Sequence, residues 1–98
     1  MGFQVIITER ATKDLRLIVG RIASNNPSAA EKLGEMIIEK FLGLRKFPFL
    51  GRVVPERGES EWRELIFGSY RLIYHVDEQS QVIEAARVWH AARGEPEF

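Results

Sequence analysis

Five polar side chains in the second half of this sequence have the types that phosphodiester chemistry asks for: Glu64, Arg71, Arg87, His90 and Arg93. Attack of a 2′-hydroxyl on the adjacent phosphate needs a base at that hydroxyl, cationic donors for charge developing on the phosphate, and an acid at the leaving oxygen. The three arginines supply donors, and Glu64 or His90 supplies the base or the acid. The same residues admit a quieter reading, in which Glu64 and Arg71 form an ion pair across two strands and the remaining cations are solvated.

Other chemistries have no footing. No glycine loop of phosphate-cradling type is present, neither His75 nor His90 has metal-ligand spacing around it, and no serine stands near a histidine in a nucleophile pattern. With no cysteine there is neither a disulfide framework nor a thiolate. No metal and no cofactor is therefore expected. The 14 basic and 14 acidic residues cancel, so no global field draws the chain to a polyanion. The balance is uneven: residues 1–47 hold eight Lys or Arg against five Asp or Glu, and residues 48–98 hold six against nine.

The element that positions Glu64 and Arg71 is the stretch Trp62 to Val76. Two aromatic and aliphatic runs flank Gly68-Ser69, and glycine first in a two-residue loop predicts a type II′ β-hairpin. With Phe67 and Tyr70 paired at the turn, Leu65, Phe67, Tyr70, Leu72 and Tyr74 share one face, expected to be core. Trp62, Glu64, Ile66, Arg71, Ile73 and His75 share the other. That second face, with Arg71 in mid-strand, is expected to lie open.

Upstream, Phe3 to Thr8 predicts a strand and Thr8 a helix cap. Ala11, Leu15, Ile18 and Ile22 then form one helical stripe within Glu9 to Ser24, ended by Asn25-Asn26-Pro27. Ser28 and Glu31 have capping-box spacing and predict the start of a second helix, whose stripe is Ala30, Leu33, Ile37, Phe41 and Leu44 and which runs to about Lys46. Pro48 to Ser60 is expected to be an irregular loop with Arg52 solvated. Gln81 to His90 is the last strand and Ala91 to Phe98 a tail. One α+β domain spanning 1–98 is expected, ordered β-α-α-β-β-β, with a helical hairpin packed on a small curved, mostly antiparallel sheet whose first strand joins in parallel. Neither a membrane span nor a signal peptide is evident, so a cytoplasmic location without membrane partners is expected.

Arg-Glu-Leu at 63–65, Gly-Ser-Tyr-Arg-Leu-Ile-Tyr at 68–74 and Val-Trp-His-Ala-Ala-Arg at 88–93 resemble the RelE/ParE superfamily of bacterial toxins from type II toxin-antitoxin pairs. The likeness extends to Thr8–Leu15, Asn26-Pro27 and Pro48–Pro55. It implies the same fold, growth inhibition, and a cognate antitoxin that neutralises the toxin in a hetero-oligomeric complex. The ribosome-dependent messenger RNA nucleases of the superfamily are similar at Tyr70-Arg71 but carry basic residues where this chain has Trp62 and Glu64. The gyrase-poisoning, ParE-like branch is the better match, and such a toxin needs no catalytic set of its own. The resemblance implies DNA gyrase as target, with the ribosome as the alternative and a domain that only binds its antitoxin as a third reading. Contacts expected for a protein partner are Leu17 and Val19 on the first helix and Trp62, Arg71 and Trp89 on the sheet; a strand aromatic packed in the core is the competing reading of Trp89.

Overall fold

The computed structural model describes residues 2–98. Strand β1 (Gln4–Ile7) leads into helices α1 (Glu9–Ala23) and α2 (Pro27–Leu42). Four strands follow: β2 (Arg52–Val53), β3 (Trp62–Phe67), β4 (Tyr70–Asp77) and β5 (Val82–His90). They form one sheet ordered β1-β5-β4-β3-β2, antiparallel except for the parallel pair of β1 with β5. The α+β fold and the parallel first strand are as expected; the sheet holds one strand more, because Arg52 and Val53 pair with Glu64 and Arg63.

The central hairpin has the anticipated register, Phe67 opposite Tyr70 and Glu64 two residues from Ile66, diagonal to Arg71. Gly68 has φ +58 and Ser69 is not left-handed, as a type II′ turn requires. Thr8 caps α1 by accepting the Ala11 N–H, while its hydroxyl donates to the carbonyl of Ala85 at 2.8 Å, tying the helix start to β5. The expected capping box at Ser28 does not form. Asn26 caps α2 by accepting the Ala29 N–H at 3.1 Å, with Pro27 in the first turn, where its missing N–H costs nothing. Asn26 satisfies the free donor two residues before Ser28 is in place to do so, and Ser28 stays exposed.

The helix-side core joins Ile37, Phe41 and Leu44 to Leu72, Tyr74, Ile83, Ala85 and Val88. Strict alternation from Ile83 would carry Arg87 into this core. A bulge prevents it: Ile73 pairs with Arg87 but Tyr74 with Ala85, so Ala86 is an extra residue. The step changes parity, bringing Val88 inward and sending Arg87 and Trp89 to the opposite face.

That opposite face is not open. Val54, at the start of the 54–61 loop, packs with Ile73 and Trp89 in a second, smaller core, against which Trp62 rests. Residues 91–98, expected to trail, fold back over it. The indole N–H of Trp89 donates to the Gly94 carbonyl at 3.0 Å, Phe98 meets Trp62 edge to face at 5.1 Å, and Pro96 is buried. Burying two tryptophans and a proline gives this short segment apolar area enough to order it.

Candidate functional site

On the second face the polar residues of adjacent strands fall into rows. Cross-strand pairing aligns Arg52, Glu64, Ile73 and Arg87 in one and Ile66, Arg71 and Trp89 in the next. Side chains of opposed residues point to the same side, so the acid and the arginines meet over the sheet.

Glu64 is the hub. Its side chain is 0% exposed, and it accepts from Arg52 Nε at 2.7 Å on one oxygen and from Arg71 Nε at 2.6 Å on the other. Arg71 turns its remaining edge to Glu56, donating from both terminal nitrogens at 3.0 and 2.6 Å. The guanidinium is thus engaged by two carboxylates in the fork geometry that arginine favours. Its pKa is driven up, first by the hydrogen bonds to Glu56 and then by those to Glu64, while that of Glu56 is lowered, chiefly by its hydrogen bond to Arg71.

The expectation that Arg71 faces open solvent is therefore corrected. Arg71 is 9% exposed, and Glu56, from the 54–61 loop, stands over it. Arg52 is exposed, as expected of a solvated residue, but its Nε also holds Glu64. The diagonal pairing of Glu64 with Arg71 is as the register predicted, but it is buried rather than a surface ion pair.

Arg87 is also engaged. Asp14 of α1 sits beside the stretch of β5 that β1 does not reach, accepts the Val88 N–H at 3.0 Å, and receives two guanidinium bonds from Arg87, both at 2.8 Å. Arg87 further donates to the Glu97 carbonyl at 2.6 Å. Its pKa is raised, mainly by the hydrogen bonds it donates to Asp14. Arg93 stacks on the Trp89 ring at 4.1 Å and Arg87 on the same ring at 5.0 Å, and Trp89 is the cross-strand partner of Arg71. His90 stands edge on to Tyr70 at 5.1 Å, with Nδ1 accepting the Ala92 N–H, and lines one cleft with Arg93. Of the five residues expected to gather in one catalytic set, Glu64 holds Arg71, Arg87 and Arg93 share the Trp89 ring opposite Arg71 with Arg87 also held by Asp14, and His90 shares a cleft with Arg93.

Of the expected partner contacts, Trp89 is 2% exposed and belongs to the second core, the reading that competed with partner binding. Trp62 is half-buried between His75, Phe98 and the Arg57 guanidinium. Leu17 is 60% exposed, and Val19 is half-buried in the α1–α2 groove, close to Gly34.

Three residues that organise the site lay outside the expected set: Glu56, Asp14 and Gly51. Asp14 had a signal, because three and four residues separate it from Ala11 and Ile18, on the buried stripe of α1. An acid on an apolar stripe asks for a buried partner. Gly51 carries a subtler one. A Cβ there would stand 2.4 Å from the Glu64 carbonyl oxygen, and its N–H donates to the Tyr74 hydroxyl at 2.9 Å. Among the described residues no group of three potential metal ligands occurs.

The fold has relatives among solved structures. The chain is similar to a chain of the RelBE2 toxin-antitoxin complex from Mycobacterium tuberculosis, with 24% identity, TM-score 0.66, and coverage of 92% of this chain and 99% of that one. It is similar to a chain of the chromosomal ParDE toxin-antitoxin system of P. aeruginosa, with 20% identity, TM-score 0.74, and coverage of 90% and 95%. A double arginine-to-alanine mutant of the E. coli toxin RelE in the free state matches with 20% identity, TM-score 0.66, and coverage of 96% and 88%. At these identities the likeness is one of fold. No curated protein sequence is significantly similar to it. The family model described as the ParE toxin of type II toxin-antitoxin system, parDE, matches residues 5–94, nearly the whole of the α+β unit, and the chain belongs to that toxin family, within the RelE/ParE superfamily.

Proposed function

We propose that this toxin is ParE-like in action: it stops growth by binding DNA gyrase in the cytoplasm, and a cognate antitoxin neutralises it in a hetero-oligomeric complex. The observation that carries this reading is the state of its arginines. A nuclease built on Arg71 and Arg87 would aim them at a phosphate, whereas here both guanidiniums are spent on carboxylates of the same chain. Glu64, a carboxylate without solvent access, has no proton path to a substrate hydroxyl. A protein-binding toxin needs a stable surface and no free cationic set, and the network of Arg52, Glu64, Arg71 and Glu56 supplies rigidity to such a surface.

The test is supercoiling by purified gyrase in the presence of the isolated chain. Inhibition with accumulation of cleaved DNA at near-stoichiometric toxin is the expected result. Full supercoiling at excess toxin removes gyrase as the target.

The competing reading is a ribosome-dependent messenger RNA endoribonuclease, kept in view by the shared fold with RelE. Its working parts would be Arg93 and His90 at the end of β5, the two expected donors and acids not spent on an ion pair. Codon-positioned cuts in translated message would establish it.

A further inference from the structure

Leu17 aside, the three most exposed large apolar side chains among the described residues gather at one edge of the fold. Leu50, Phe47 and Ile66 are 68%, 65% and 57% exposed, and Met36 beside them is exposed too. Helical spacing prepares the place: Met36, Glu39, Lys40 and Gly43 fall at i, i+3, i+4 and i+7 and share a face of α2. Leu50 and Ile66 lie along that face, closing a groove of about 450 Å³. Phe47 stands next to Leu50 across a tight turn, in which the Leu50 N–H donates to the Phe47 carbonyl at 3.0 Å.

The backbone of the same edge is open as well. β2 pairs only with Arg63 and Glu64, so Leu65 to Phe67 form the free edge of β3. In a hairpin with a two-residue loop the pair beside the turn, Phe67 with Tyr70, exchanges both hydrogen bonds, and the outward-facing groups belong to the alternate residues. The N–H and carbonyl of Ile66 therefore point away from β4, to the unpaired side. A bare strand edge lined by apolar side chains is a template for association.

Two properties decide what fits there. At about 200 Å² of surface for each large apolar side chain, the exposures of Met36, Phe47, Leu50 and Ile66 leave roughly 450–500 Å² of apolar area. A standard interface takes about 800 Å² from each partner, and in a homodimer about 65% of that is apolar, or roughly 500 Å². The second property is charge. Glu39 and Lys40 hold no ion pair among the described residues, and the Lys40 ammonium lies over the Phe67 ring at 5.7 Å, on the rim of the groove. Adjacent and opposite, they attract no partner of strong net charge. They match themselves, because a two-fold contact returns every pairing with the roles exchanged.

We propose that two copies of this chain form a two-fold dimer through this edge, with Met36, Leu50 and Ile66 at its centre and Glu39 of each copy paired with Lys40 of the other. The proposal is independent of which cellular target the toxin has.

The test is sedimentation velocity of the isolated full chain from micromolar to submillimolar concentration. Reversible association that saturates at two copies is expected, weakened about thirtyfold by Leu50→Glu, a change made at the centre of both halves. Glu39→Lys and Lys40→Glu should each weaken it, and the two together should restore it. Circular dichroism shows whether each variant keeps the fold; if Leu50→Glu does not, Ile66→Glu tests the centre from the opposite wall of the groove. A chain that stays monomeric, growth past two copies without saturation, or a dimer indifferent to Leu50→Glu and to the charge exchange overturns the proposal. So does a monomer whose binding to the cognate antitoxin is lost in Leu50→Glu, a result that gives the patch to the antitoxin instead.

Discussion

Arg71 Nε donates to Glu64 at 2.6 Å from a position diagonal to it across the central hairpin, and the carboxylate so engaged is wholly buried. A charge pair in that setting is held less by Coulomb attraction than by mutual need. Each group has lost its water, and removal of either strands the other. Arg52 and Glu56 extend the pair into a chain of alternating charge that joins β2, β3, β4 and the 54–61 loop.

Glu64→Ala should therefore destabilise the fold by about 3–5 kcal/mol, the usual cost of breaking a buried pair from one side. Replacing both members, as Glu64→Leu with Arg71→Met, should cost clearly less than the two single changes added together. Urea unfolding of the three variants measures this. A loss under about 1 kcal/mol for Glu64→Ala would mean that the hub is dispensable.

The Glu56–Arg71 contact should be visible in acid. Arg71 lowers the folded-state pKa of Glu56 below its ordinary 4.5. The stabilisation it gives is complete above that ordinary value and is lost as the pH falls through the folded one. Glu56→Gln should thus have a lower urea midpoint than the native chain at neutral pH, with the gap closing as acidity increases. A gap that stays constant with pH would show that the contact is not ionic.

Gly51→Ala should be among the costliest single-methyl changes in the chain. The added carbon would lie 2.4 Å from the Glu64 carbonyl oxygen and 2.8 Å from the Tyr74 hydroxyl, and backbone cannot yield as a side-chain tip can. Overpacking of this kind costs about 1–3 kcal/mol, with a matching fall in thermal midpoint. Tyr74→Phe, which leaves the buried Gly51 N–H without its acceptor, should cost about 1–3 kcal/mol by a different route.

Tyr74 should also report on alkaline unfolding. Burial raises its pKa above 10.0, so it favours the fold fully below that ordinary value and progressively less as the pH rises through the folded one. Phenolate absorbance from Tyr74 should appear together with loss of structure, and its appearance in the folded chain would contradict this.

Much of the fold could be read from periodicity. The hairpin register followed from Gly68-Ser69 and the aromatic pair beside it, and the helix stripes marked Ile37, Phe41 and Leu44 as core. The candidate site was less legible, for identifiable reasons. Its cover comes from residues 54–61 and 91–98, which have no period to read, so nothing local announced that Glu56 would close over Arg71 or that Phe98 would meet Trp62. The bulge at Ala86 changes strand parity without a glycine to mark it, which is why Arg87 and Trp89 share a face with Arg71. The Asn26 cap was hidden by a competing serine two residues later, and a count of apolar residues along α1 passes over Asp14, an acid on the buried stripe.

Mapping of the 5′ ends of translated messages during expression, in cells carrying the native chain or Arg71→Ala, bears most directly on whether Arg71 and Glu64 serve each other rather than RNA. Growth arrest by the native chain with no codon-positioned ends is the expected result. Codon-positioned ends from the native chain would contradict it, and their loss in an Arg71→Ala variant shown to remain folded would place Arg71 itself at the RNA.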